Sequence, residues 1–110
     1  MNKQEIVLEY LRCFCDRDTD GLEHLLANDL KFEGTFHKFD SAAEYIHSLK
    51  NDPPEKAKFN ILSITENKGS LAVFYEYQKP QSVTRIAQLF KFKGPKISEI
   101  LLVFDGRNIK

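Results

Sequence analysis

The sequence predicts an α+β domain in which three N-terminal helices pack on a strongly curved antiparallel sheet that supports a pocket. Two observations carry this. Apolar residues recur at helical spacing in three segments of the first half. From residue 70 onward, three apolar runs with alternating character are divided by the turn signals Lys79-Pro80-Gln81 and Gly94-Pro95. With 110 residues the chain suits one core, and 1–110 reads as a single domain without repeats, linkers or low-complexity segments.

The first helix spans residues 3–16, with Ile6, Val7, Tyr10, Leu11 and Phe14 on one stripe. Asn2 followed by Glu5 forms a capping box. A short second helix, 19–27, turns Leu22, Leu25 and Leu26 inward, with Asp18 as N-cap. Residues 30–39 form a short β segment whose central Gly34 signals a bulge, a bend or a close approach to the backbone. Ser41-Ala42-Ala43-Glu44 is a second capping box, and Ala42, Tyr45, Ile46 and Leu49 carry a third helix to residue 50, where Asn51-Asp52-Pro53-Pro54 stops it. A strand over 56–66 and a turn at Asn67-Lys68-Gly69 lead into the last three strands, making four consecutive antiparallel strands.

Within the strand around residues 85–93, Ile86, Gln88, Phe90 and Phe92 alternate with Arg85, Ala87, Leu89, Lys91 and Lys93. The first set faces the helices, so Gln88 is a lone amide on a phenylalanine-lined face. A buried amide must be paired by the protein or by a ligand. Tyr10 lies on the inward stripe of the first helix, where the two polar tips can meet. Phe14, Phe32, Phe90 and Phe92, with Tyr75, Ile100, Leu102 and Phe104, are expected to line an apolar cavity or to fill it. Both faces of the strands are apolar: Leu71, Val73, Tyr75 and Tyr77 on one, Ala72 and Phe74 on the other. Helices cover only one face, which predicts a homodimer on the opposite one.

Sixteen basic and sixteen acidic residues balance, which argues against a nucleic-acid partner. Cys13 and Cys15, two apart on a helix, read as reduced packing cysteines. No apolar run is long enough to span a membrane, and a cytoplasmic location is expected. Glu44-x-x-His47 has the spacing of a carboxylate–histidine metal pair, but no second pair accompanies it, so neither a metal nor a cofactor is expected.

Several segments resemble the nuclear-transport-factor-2-like superfamily, the cystatin-like α+β cone, and within it the SnoaL-like proteins and the ketosteroid isomerases. They are Tyr75-Glu76-Tyr77-Gln78, the run Phe90-Lys91-Phe92-Lys93-Gly94, the ending Ile97-Ser98-Glu99-Ile100…Phe104…Asn108-Ile109, and Asp20-Gly21-Leu22 through Leu26-Ala27-Asn28-Asp29-Leu30. The resemblance implies a cavity between sheet and helices, in a superfamily of isomerases, dehydratases, cyclases, hydrolases and non-catalytic binders. It also implies that Tyr10 stands where the isomerases place an oxyanion-donating tyrosine, and Gln88 where they place a protonated aspartate. At the position of their carboxylate base stands Gly34, with Glu33 one residue before it and on the opposite face. His37 is the other candidate base, because histidine titrates near neutrality. Three functions follow as expectations: a binder of a small apolar, ring- or carbonyl-bearing molecule; an isomerase-, dehydratase- or cyclase-type enzyme using Tyr10 and Gln88 with His37 or Glu33; or a dimeric interaction module with a vestigial cavity.

Overall fold

Helix α1 (Lys3–Cys15) starts at the predicted capping box: Asn2 Oδ1 accepts from Glu5 N at 2.8 Å and Glu5 Oε1 from Asn2 N at 2.9 Å. The computed structural model describes residues 1–107, so the matched Asn108 and Ile109 lie outside the described residues. The helix ends in a double-bonded loop in which Asp18 N donates to Cys13 O (2.8 Å) and Arg17 N to Phe14 O (3.2 Å). Arg17 holds the left-handed conformation there, φ 59°, at a position glycine usually fills. Cys13 and Cys15 are free and buried, and burial pushes each thiol up to about 11.

Helix α2 (Thr19–Leu25) is capped by Asp18, whose Oδ1 accepts from Gly21 N at 2.9 Å. It stops two residues before the expected end, because Leu26 is already extended and pairs with Ile97. Strand β1 (Leu26–Glu33) therefore takes in residues read as helix, and cross-strand pairing overrides their helical propensity. Of the readings offered for Gly34 in the segment 30–39, the structure shows the bend. β1 ends at Glu33, and Gly34 N donates to His37 O at 2.7 Å to close a turn into β2 (Lys38–Phe39). Helix α3 (Ala42–Asn51) has Ser41 Oγ accepting from Glu44 N at 3.1 Å, but the Glu44 carboxylate reaches back to Asp40 N (2.9 Å) instead of to Ser41.

Strands β3 (Lys58–Glu66), β4 (Ser70–Lys79), β5 (Ser82–Lys93) and β6 (Lys96–Phe104) are the four expected antiparallel strands. The sheet is larger than that and mixed. Its order is β2-β1-β6-β5-β4-β3, with β1 parallel to β6. Without β1, the backbone groups along the outer side of β6 would be unpaired, so the early chain serves as its neighbour. The sheet stays open, with β2 and β3 at its edges.

Helices cover one face. Leu71, Val73, Tyr75, Phe90, Ile97 and Ile100 pack there against Val7, Tyr10, Leu11 and Leu22. On the other face Phe74, Ala87 and Val103 form one cross-strand row, and Phe74 (51%), Val103 (53%) and Leu101 (41%) are exposed. Among the described residues no helix is long and apolar enough to cross a membrane.

Candidate functional site

Between α1, α3 and the inner face of the sheet lies a cleft of about 470 Å³. Helix α1 contributes Tyr10 and Phe14, α3 contributes Tyr45 and Leu49, and the segment after α3 contributes Pro53 and Pro54. Phe32, Gly34, His37 and Phe39 form one wall, while Tyr75, Ile86, Gln88, Leu102 and Phe104 form the floor. Phe32 stacks on Tyr45, centroids 4.8 Å apart, and tilts against Phe39 at 5.7 Å, which fixes that wall.

Gln88 is 4% exposed and, among the described residues, is the buried polar residue in a core otherwise made of apolar, cysteine and tyrosine side chains. The Tyr75 hydroxyl donates to Gln88 Oε1 at 2.7 Å. That makes Oε1 the accepting end and leaves the NH₂ as a donor with the Tyr10 hydroxyl beside it. Tyr10 and Tyr45 hydroxyls are 2.5 Å apart, and either oxygen can donate. No buried side-chain nitrogen or oxygen among the described residues lacks a partner. The polar end thus holds two tyrosine-anchored pairs side by side, and Tyr10 and Gln88, the two donors expected from the sequence, both line the cleft.

Burial pushes the Tyr10 phenol up to about 12, against the opposing pull of hydrogen bonds from Tyr45 and Gln88. Tyr45 is pushed well up by burial and by the neighbouring Tyr10, and Tyr75 well up chiefly by burial. All three are neutral hydroxyls at neutral pH. The Tyr75 proton is committed to Gln88 Oε1 and one proton of the Tyr10–Tyr45 pair is shared between those two hydroxyls, so one hydroxyl of that pair is left to donate to a carbonyl or oxyanion, and none of the three is a base there.

The other expected site residues separate. Glu33 is exposed, on the sheet face away from the cleft, because alternation along β1 sends Leu30 and Phe32 inward and Lys31 and Glu33 outward. His37 is exposed at the rim of the cleft, stacked on Phe39 with centroids 6.0 Å apart. Of the expected lining residues, Phe14, Phe32, Tyr75, Leu102 and Phe104 line the cleft. Phe90, Phe92 and Ile100 do not. They lie toward the Gly94 turn, where β5 and β6 pack under the helices, and Phe90 meets Tyr10 edge-on at 5.2 Å. Glu44 and His47 are engaged locally, His47 Nε2 with Asn51 Nδ2 at 2.9 Å. No group of three or more His, Cys, Asp or Glu that could hold a metal occurs among the described residues.

Sequence reasoning missed Tyr45, Asp52 and Glu55 as wall residues. Tyr45 carried a usable signal: a tyrosine on a buried stripe needs a hydroxyl partner, and the only other tyrosine on a helix is Tyr10. Asp52 and Glu55 flank the proline pair and gave none.

No family model matches the sequence, and no curated protein matches it. Solved structures do. An NTF2-like protein of unknown function from Cytophaga hutchinsonii superposes with a TM-score of 0.83 at 15% identity, over 97% of this chain and 93% of its own. The chain has the NTF2-like fold. A candidate SnoaL-like polyketide cyclase from Shewanella denitrificans shares this fold with a TM-score of 0.81 at 15% identity, covering 96% and 92% of the two chains. An LEH-like epoxide hydrolase from M. tuberculosis has a TM-score of 0.77 at 15% identity, covering 92% and 80%. At such identities the NTF2-like fold is common ground, and the chemistry is not.

Proposed function

We propose that this protein is a SnoaL-like pocket protein that binds a small apolar molecule bearing a ring or a carbonyl. The observation that supports the reading is Gln88: an amide lining an aromatic cleft of about 470 Å³, its carbonyl held by Tyr75 and its NH₂ left as a donor beside Tyr10. The NH₂ and the neighbouring Tyr10 hydroxyl anchor the ligand oxygen, and Phe14, Phe32, Ile86 and Leu102 take its apolar body. Calorimetric titration with acetylnaphthalene and its carbonyl-free analogue ethylnaphthalene tests this. The ketone should bind about tenfold more tightly, a difference of roughly 1–3 kcal/mol for a satisfied buried polar group. Equal binding, or none by either, rejects the reading. A thermal-shift screen of steroids, fatty acids, aromatic lactones and polyketide-like rings then narrows the ligand class.

A second reading, isomerase- or lyase-type chemistry, is favoured by one observation: the carboxylates of Asp52 and Glu55 and the imidazole of His37 all border the cleft. Tyr10 and Gln88 would stabilise the developing oxyanion and one of those groups would move the proton. Glu33, on the far face of the sheet, has no part in it.

The binding unit is a homodimer joined through the outer sheet face. The exposed row around Phe74 and Val103 supports this, since a contiguous apolar face on a sheet favours a self-complementary interface. The reduced, buried Cys13 and Cys15 suit a cytoplasmic location.

A further inference from the structure

A second pocket, about 240 Å³, opens on the helical side of the molecule where the ends of α1 and α3 meet α2. Its wall is apolar, with Phe14, Leu22, Leu49 and Pro54 among the lining residues. Phe14, Leu49 and the proline pair also line the central cleft, so the two spaces stand back to back across one partition. The charged side chains on this pocket are both cationic, Arg17 and Lys50.

Neither cation is in an ion pair among the described residues. The acidic neighbours of Arg17 in sequence are drawn elsewhere: Asp16 lies 3.3 Å and Asp18 3.7 Å from Arg12. Asp52, next but one to Lys50, borders the central cleft instead. An apolar recess with two cations and no lining carboxylate is complementary to a small amphipathic anion.

The backbone adds an independent observation. Arg17 occupies the left-handed position that closes the α1 loop, where glycine is the unstrained choice and a side chain is held at a cost. Strain kept at one position is a mark of a side chain with a task.

We propose that this pocket binds a small monocarboxylate, with its carboxylate between Arg17 and Lys50 and its hydrocarbon part against Phe14, Leu22, Leu49 and Pro54. The site does not depend on what the central cleft holds. The probe is hexanoate, with hexanamide as its uncharged counterpart, titrated into the full chain labelled with nitrogen-15. Hexanoate should shift the backbone amides of Arg17, Leu22 and Lys50 saturably, and more weakly as salt is added, while hexanamide leaves them in place.

Arg17→Gly should weaken hexanoate binding about tenfold or more while the melting temperature holds or rises, because glycine suits the turn. Lys50→Gln should weaken binding as well, and Gln88→Leu should leave it intact. The proposal is overturned if hexanamide binds equally, if Arg17→Gly binds hexanoate as the parent does, or if the shifts gather at Tyr45 and Gln88 in the central cleft.

Discussion

Tyr75 and Gln88 meet on the diagonal of a strand pair: Val73 stands opposite Gln88 and Tyr75 opposite Ile86, and the Tyr75 hydroxyl reaches across to Gln88 Oε1 at 2.7 Å. Gln88→Leu tests what this bond is for. The freed Tyr75 hydroxyl still borders the cleft and can take a water there. Stability measured by urea unfolding should therefore fall by no more than about 1 kcal/mol, whereas affinity for acetylnaphthalene should fall by roughly 1–3 kcal/mol. A stability loss at the upper end of that range with unchanged affinity would make the amide a structural bridge and remove the anchor from the proposed function.

The Tyr10–Tyr45 pair joins α1 to α3 through the floor of the helical layer. Tyr10→Phe or Tyr45→Phe leaves one buried hydroxyl without its partner, at a cost of about 1–3 kcal/mol each. The double variant removes both groups and should cost less than the sum of the singles. Additive costs in a double-mutant cycle would show that the two hydroxyls do not interact in solution.

How far this site was legible in the sequence differs from residue to residue. Gln88 was readable because a period of two placed an amide among phenylalanines, and Tyr10 because a period of 3.6 turned it inward. Both periods are local, so both survive folding. Their partners were not readable. Tyr45 is 35 residues from Tyr10, and which tyrosine meets which depends on how α3 crosses the sheet. The same limit explains β1. Leu26 and Ala27 continue a helical stripe, and only the distant Ile97 draws Leu26 into a strand. Phe90, Phe92 and Ile100 were assigned to the correct face of the sheet, but position along the strand decides whether that face meets helices or cleft, and alternation carries no information about that.

Alkaline pH should unfold the protein through its buried tyrosines. Tyr10 titrates near 12 in the folded state and near the ordinary 10 when unfolded, and Tyr45 and Tyr75 are displaced in the same direction. Between those values the unfolded chain has released protons that the folded chain retains, so stability falls as pH rises. The contribution is fully present below pH 10 and is lost through about 12. Each such group adds a slope of about 1.4 kcal/mol per pH unit. The thiols of Cys13 and Cys15, raised from 9.0 to about 11, begin the same trend earlier. Urea midpoints across this range should drop steadily, with tyrosinate absorbance appearing only as the protein unfolds. Phenolate absorbance developing near pH 10 in a still-folded protein would show that these hydroxyls are open to water.

The exposed row on the outer sheet face predicts a dimer that a charge can dissociate. Phe74 and Val103 flank Ala87 in register, and both are more than half exposed in the single chain. Sedimentation equilibrium at micromolar concentration should give twice the 12.8 kDa chain mass for the parent and the chain mass for Phe74→Lys. The lysine variant should keep its fold, since position 74 faces solvent in the single chain and the core lies on the other side of β4. A parent protein that sediments as a monomer rejects the interface.

Gly34 decides between binding and one specific chemistry. It lies on the cleft wall, and the resemblance to the ketosteroid isomerases puts their base at this position, where a glycine cannot abstract a proton. The parent protein should not convert a β,γ-unsaturated ketosteroid to its conjugated enone, followed by ultraviolet absorbance. A side chain can begin at this position if the Phe32 ring gives slightly. A Cβ at Gly34 would meet the edge of the Phe32 ring at 3.1 Å and then only ordinary contacts at 3.6 Å, and the residue has no left-handed backbone to strain a side chain. Gly34→Asp should therefore fold, after a shift of Phe32 by a few tenths of an ångström, and place a carboxylate beside the same donors, Tyr10 and Gln88. If the donors are arranged for a carbonyl, this variant should show enone formation above background. A positioned base contributes roughly 10²–10⁴-fold, and Tyr10→Phe in the same background should reduce the gain. Turnover by the parent would mean that His37, Asp52 or Glu55 already serves as the base and would promote the isomerase reading over the binder. Silence from Gly34→Asp, with acetylnaphthalene still bound, would show that the ligand's reacting carbon lies out of reach of position 34.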